Sequence, residues 1–315
     1  MSRALWKQPQ FLLGSFILLS LMAASIAYPF FFELPEEVNY LYEDGKLVGV
    51  PPFSPAEAPP FGTDVFGRNL LDLMINGAKY TLLFALGIAL VRVLLAGVLS
   101  FFYYHYNEKL RPLLEDLIES MLYIPTAIVA YLFLAPLATK YSEEGGGFVQ
   151  MVLTQCIILA LLGVPPLLAA FSKDIARISN QEYIVSTLSL GAKHRYVYFK
   201  HVLPEMGSRF LLVVAQQIIQ VLILLSHLGV LYIFIGGAAT IIDGDLLSEH
   251  EVFVSLTGEW AGLIGNNYDA INHSPHLILI PLGFFSLAIF AMNMVINGMR
   301  NAMQRKERRE VDEAA

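Results

Sequence analysis

Long apolar runs separated by polar segments dominate this chain, and six of them reach the roughly 20 residues that a helix needs to cross the hydrocarbon core of a bilayer. They cover residues 11–32, 80–104, 117–139, 148–171, 210–235 and 276–299. The pattern predicts an all-α, polytopic integral membrane protein with six transmembrane helices. Arg92 interrupts the second run. An ionisable group at membrane depth is expensive unless it faces a cavity or a partner helix, so Arg92 is expected to face the bundle interior; a shifted register of the span is the alternative.

The connections divide the chain into an N-terminal stretch with the first span (1–32), an external segment (33–76), a five-helix core (77–299) and a tail (300–315). The 33–76 segment carries Pro51-Pro52 and Pro59-Pro60 and reads as a loop. It ends in Gly62-Thr63-Asp64-Val65-Phe66-Gly67-Arg68-Asn69, a glycine-punctuated turn leading into a short amphipathic helix from Leu70, with Asp64 or Asn69 available as its cap. The 236–275 connection is too long for a simple hairpin, which leaves a self-folded unit or a partner contact. No internal repeat or low-complexity tract is present.

Composition supports the membrane assignment. Apolar residues make up 56% of the 315 and charged residues 15%, with a mean hydropathy of +0.58, too apolar for a soluble globular protein. The single Cys156 falls in the fourth run, so no intramolecular disulfide forms. Arg3 and Lys7 followed by an apolar stretch and Ala24-Ser25-Ile26-Ala27 imitate a signal peptide, but the run continues to Phe32 and favours an uncleaved anchor.

Charge sets an orientation. With both termini in the cytoplasm, Arg3, Lys7, Lys109, Arg111, Lys173, Arg177, Lys193, Arg195, Lys200, Arg209, Arg300, Arg305, Lys306, Arg308 and Arg309 fall inside, and only Lys46, Arg68, Lys79 and Lys140 outside. Asp243, Asp245, Glu249, Glu251, Glu259 and Asp269 share one external loop. Short juxtamembrane basic clusters are not a nucleic-acid groove, which excludes that partner class.

One polar island, residues 172–209, is the largest cytoplasmic connection. Within it Glu182 to Leu190 has helical periodicity, Gly191 permits a break, and Arg195 to Val202 is expected to form a second short helix stopped by Pro204.

Glu182-Tyr183-Ile184, then Leu190-Gly191-Ala192, then Phe199-Lys200-His201-Val202-Leu203-Pro204 resembles the EAA loop of bacterial ABC importer permeases. Gly62-Thr63-Asp64 with Gly67-Arg68 is similar to the motif before the second span in the dipeptide, oligopeptide and nickel branch of that family, in its second permease type. Gly258-Glu259-Trp260-Ala261-Gly262 before the last span and Phe290-Ala291-Met292-Asn293 with Gly298-Met299-Arg300 at its end agree with it. Ser186 and Thr187 stand where the family usually has paired Ala, and Asn69 where Asp is common; small side chains at 186 and 187 still permit close packing.

The resemblance implies a type I ABC importer permease fold with cytoplasmic coupling helices, in a bacterial inner membrane and surrounded by lipid. It implies half of a translocation pore that pairs with a second permease subunit, two ATP-binding subunits and an external substrate-binding protein. Glu182, Tyr183, Ser186, Gly191, Ala192, His201 and Pro204 are the implied ATPase-coupling residues. Gly62, Thr63, Asp64, Gly67, Arg68, Glu259 and Trp260 are the implied external gate or binding-protein contact; for the Gly62 to Arg68 turn a helix cap is the competing reading. Peptides are the implied cargo, with nickel or a metallophore as the alternative.

The chain has no Gly-rich phosphate loop and is expected to hold no cofactor, ATP and Mg residing on the partner subunits. His273, His276 and Glu249-His250-Glu251 read as solvated loop residues, so no metal site is expected. No nucleophile with a positioned base is apparent, and no paired carboxylates lie at membrane depth, which disfavours an enzyme and an ATP-independent secondary transporter. A membrane signalling protein, its polar island docking a regulator, is a further class.

Overall fold

The computed structural model describes residues 5–32, 41–43, 46–105, 116, 118, 120, 121, 123–144, 147–207, 209–243 and 250–314. Among them, five helical stretches are long and apolar enough to cross a membrane: Pro9–Phe31, Leu70–Phe102, Phe148–Ser179, Phe210–Val230 and His276–Arg305. The chain is therefore a multi-pass, largely α-helical protein.

Helix α1 (Pro9–Phe31) starts on a proline, whose missing N–H is no loss in a first turn, and runs on through Pro29. Helix α2 (Leu70–His105) is continuous: the short helix expected from Leu70 and the second apolar run are one element. Its 36 residues reach about 54 Å, well beyond a hydrocarbon core of about 30 Å, so one end stands clear of it.

The third expected span, 117–139, is shorter among the described residues. Helix α3 (Thr126–Glu144) has an apolar part confined to Thr126–Ala138, about 20 Å long. Tyr123 and Ile124 form only turn-type bonds, to Ser120 and Met121, because Pro125 disfavours helical backbone in the residue before it. Leu117, Lys109 and Arg111 lie outside the described residues, as do Arg3, Asp245 and Glu249.

The fourth run is two helices, α4 (Phe148–Leu162) and α5 (Val164–Ser179), joined at Gly163, with Pro165 and Pro166 opening the second. A polar hairpin follows: α6 (Glu182–Ser189), α7 (His194–Val197), a π turn (Tyr198–Val202) and α8 (Leu203–Gly207). Pro204 does not stop the second arm. The π turn widens the helix just before it, with the Leu203 N–H reaching back to the Tyr198 carbonyl, which relieves the clash a proline ring makes with the preceding turn.

Helix α9 (Phe210–Val230) is the axis of the bundle, buried along Val214, Ile218, Val221, Leu222, Leu225 and Leu228. Helix α11 (His276–Ala314) carries the last span onward through the expected tail as one helix. It packs on α1 at two glycines: a side chain at Gly14 would strike the Ala291 carbonyl, and one at Gly298 would strike Phe11. The Ser25 hydroxyl ties α1 to α2, donating to the Asn76 carbonyl and accepting from Lys79 N–H, both at 3.0 Å.

The 236–275 connection folds on itself. Strands Ala238–Asp243 and His250–Ser255 pair antiparallel from Ala238 with Ser255 to Asp243 with His250; helix α10 (Trp260–Asn266) and a 3-10 turn (Tyr268–Asn272) complete it. In the first external segment, Leu41–Glu43 and Lys46–Gly49 make a second small hairpin. Leucine and phenylalanine side chains left bare on the outer faces, such as Phe30 at 82% exposure, fit a hydrocarbon surrounding.

Candidate functional site

At the hairpin end of the bundle, α6 is held by one side chain. Ile184 is fully buried and packs with Ile175 and Ile178 of α5 and with Val197, Tyr198 and Val202 of the second arm. This apolar cluster was not singled out in the sequence, although the three-residue spacing of Ile175 and Ile178 hints at it. Phe101, near the end of α2, stacks edge-on to Tyr198 with ring centres 4.9 Å apart, linking the hairpin to a membrane span.

The opposite face of the hairpin is bare. Tyr183, Val185 and Leu190 are exposed there, Leu190 at 89%, whereas Phe199, also exposed, stacks towards Phe101 of α2. Outside lipid, an apolar rim of this kind marks a surface suited to a partner. Of the implied coupling residues, Tyr183 and His201 meet, their rings 5.7 Å apart, and the Tyr183 hydroxyl donates to Glu205 at 3.4 Å. Burial and the neighbouring Glu205 raise the Tyr183 pKa. Glu182, Ser186 and Pro204 are exposed, and the Ser186 and Thr187 hydroxyls donate back to the Glu182 and Tyr183 carbonyls, which keeps both side chains flat on the helix.

Gly191 makes the bend. Its φ of +91° is one that a side chain resists, yet nothing lies within 4 Å of where a Cβ would stand, so backbone conformation alone requires the glycine. Ala192 follows and packs against the Ile184 cluster.

At the other end, Asp64 is completely buried and paired twice with Arg68, whose Nε and Nη2 donate to one carboxylate oxygen at 2.8 and 2.6 Å. The other oxygen accepts the backbone N–H groups of Phe66 and Arg68. Burial pushes the Asp64 carboxyl up, and Arg68 and the two N–H groups pull it back. Gly62 and Gly67 supply positive φ on either side of this turn, Thr63 bonds Phe53, and Asn69 caps α2 by accepting from Leu71 N–H at 3.0 Å. Asn267, which the sequence did not flag, accepts from Val65 N–H across 202 residues.

Glu259 and Trp260 lie inside the protein beside that turn. Glu259 caps α10 by accepting from Gly262 N–H at 2.6 Å and also accepts from Ile235 N–H at 3.3 Å; burial raises its pKa to about 7 against those bonds. Trp260 is fully buried against Phe284 and Phe285, donates from its indole to the Met74 carbonyl, and donates its backbone N–H to the Thr81 hydroxyl. Within this chain, then, Trp260 locks the external unit onto α2 and α11, Glu259 ties α10 to Ile235 just after α9, and Arg68 keeps partial exposure.

Arg92 is 3% exposed and lies between the two ends. Its guanidinium donates to the Leu159 carbonyl of α4 and presses on Gly163. Among the described residues no group of three or more His, Cys, Asp or Glu side chains is arranged to hold a metal.

Helices long and apolar enough to span a membrane, with a helix-glycine-helix hairpin at one end of the bundle, define a multi-pass membrane protein. Residues 93–309 match the family described as binding-protein-dependent transport system inner membrane component, and the chain belongs to that family of transport permeases. Its curated relatives include the oligopeptide transport system permease protein OppC of Bacillus subtilis, 21% identical over 263 residues, covering 81% of this chain and 75% of the relative. The di/tripeptide transport system permease protein DppC of Pseudomonas aeruginosa is 25% identical over 253 residues, 78% of this chain and 71% of the relative. The OppC of Escherichia coli K12 is 20% identical over 256 residues, 79% and 72%.

Proposed function

We propose that this chain forms half of the translocation pathway of an ATP-driven importer for di- or oligopeptides, working with a second permease, two ATP-binding subunits and an external substrate-binding protein. The hairpin carries the reading. Its bare rim of Tyr183, Val185 and Leu190 offers the ATP-binding subunit a surface, and buried Ile184 ties that surface to α5 and, through Tyr198 and Phe101, to α2.

A push on the rim then reaches the spans as rigid-body motion, because a close-packed cluster transmits displacement instead of absorbing it. The hairpin sits on the cytoplasmic side and the Asp64 turn outside, as the distribution of Lys and Arg favours. The names of the relatives favour peptides as cargo.

Reconstituting the chain with its partner subunits in vesicles, and following uptake of labelled di- and oligopeptides with and without ATP, tests the proposal. ATP-dependent accumulation is expected. Uptake by this chain alone, without ATP, would overturn it in favour of a secondary carrier.

A further inference from the structure

Two cavities at the hairpin end of the bundle meet at one side chain. The first, about 450 Å³, is an apolar slot whose walls include Val93, Gly97, Phe101, Phe171, Phe210 and Val213. The second, also about 450 Å³, is a cleft formed by Lys193, Arg195, Tyr196 and Lys200. Phe199 lines both and is half exposed. The Arg195 guanidinium lies over its ring, 6.0 Å from the centre.

The placement of the slot matters. Gly97 and Phe101 belong to the last turns of the α2 stretch that is apolar enough to cross a membrane and Phe210 to the first turn of α9, so the slot sits at the ends of two such stretches. The cleft lies one step further out, and among the described residues none of Lys193, Arg195 and Lys200 is paired with a carboxylate. Basic residues that only set topology require no cavity beside them.

We propose that the two cavities together bind one anionic phospholipid, an acyl chain in the slot and the phosphate against Arg195 and Lys200. The slot excludes a charged occupant, the cleft is walled by the stems of three cations whose charges stand at its edge, and an anionic lipid matches both at once. A zwitterionic lipid offers the same chain, but its own ammonium offsets the attraction of the cleft. The inference stands apart from the transport reading, since it concerns a ligand of the chain itself.

The test uses the full chain in detergent, titrated with dioleoylphosphatidylglycerol or dioleoylphosphatidylcholine, with bound lipid counted by native mass spectrometry. One phosphatidylglycerol should stay bound at concentrations that leave phosphatidylcholine free, a comparison that needs no variant. Arg195→Ala with Lys200→Ala should weaken retention about tenfold or more. Gly97→Leu, whose side chain starts in open space, should fill the slot and weaken it with the charges untouched. Equal retention of both lipids, unchanged in either variant, overturns the site and leaves only surrounding lipid. Displacement by glycerol phosphate as effective as by the whole lipid also overturns it.

Discussion

The guanidinium of Arg92 donates to the carbonyl of Leu159 through both Nε and Nη2, at 3.1 and 2.8 Å, across 67 residues of chain. That carbonyl is open because α4 ends there: the N–H of Gly163 turns to Ala160, and Pro165 and Pro166 bring no donors to the next turn. A buried cation at a helix C-terminus also meets the negative end of the helix dipole. Arg92→Met should leave the carbonyl unsatisfied in an apolar setting and cost about 1–3 kcal/mol. Thermal unfolding in detergent checks this; a variant as stable as the parent would show that the bond contributes nothing. Gly163→Ala should be destabilising as well, since its methyl would meet the guanidinium.

Removing Arg68 should harm the external turn more than removing both members of its pair. Arg68→Met leaves the Asp64 carboxylate buried without its cation, a loss of about 3–5 kcal/mol. Adding Asp64→Asn should restore part of the stability. A double-mutant cycle by thermal unfolding decides it, with additive losses counting against direct coupling.

Glu259 predicts a pH dependence whose sign is opposite to that of a carboxylate paired with a cation, whose pKa folding lowers. Its pKa rises from 4.5 to about 7 on folding, so the native state holds the proton more tightly than the unfolded chain. Stability from this group is complete below pH 4.5, falls as pH rises towards about 7, and levels off above it. The loss is on the order of 3 kcal/mol. Glu259→Gln keeps an acceptor for α10 and abolishes titration, so the parent's unfolding temperature should drop relative to the variant's across that window.

The hairpin offers a separation of folding from coupling. Gly191→Ala should cost about 1 kcal/mol through backbone strain alone, with no clash to relieve, and should misdirect the second arm. Ile184→Ala removes the buried anchor of α6 and should cost about 2–5 kcal/mol locally. In the reconstituted transporter both should lower transport per ATP hydrolysed while helix content by circular dichroism stays unchanged. Full transport in either variant would count against the coupling role of the hairpin.

Most of the scaffold was legible in the sequence, and the departures have local causes. The spans read correctly except the third, where Pro125 breaks the helix inside a run that hydropathy counts as continuous. Pro204 misled in the opposite direction, because a widened π turn carries the helix past it, and a turn of that kind leaves no mark in periodicity. Around the hairpin the motif was visible. The cluster beneath it was not, since Ile184, Val197 and Phe101 come from three separate segments.

The sequence by itself determined that this chain lives in a membrane, five of the stretches apolar enough to cross it, and where along the chain the polar hairpin falls. Transfer to lipid sums over consecutive residues, so a linear reading captures it. Only the tertiary structure decided which carbonyl Arg92 meets, that Glu259 and Trp260 turn inward, and that an apolar slot ends at a basic cleft. Partners of a buried polar group and walls of a cavity are assembled from residues far apart in the chain, as with Trp260 and Met74 across 186 residues. No window along the sequence contains both.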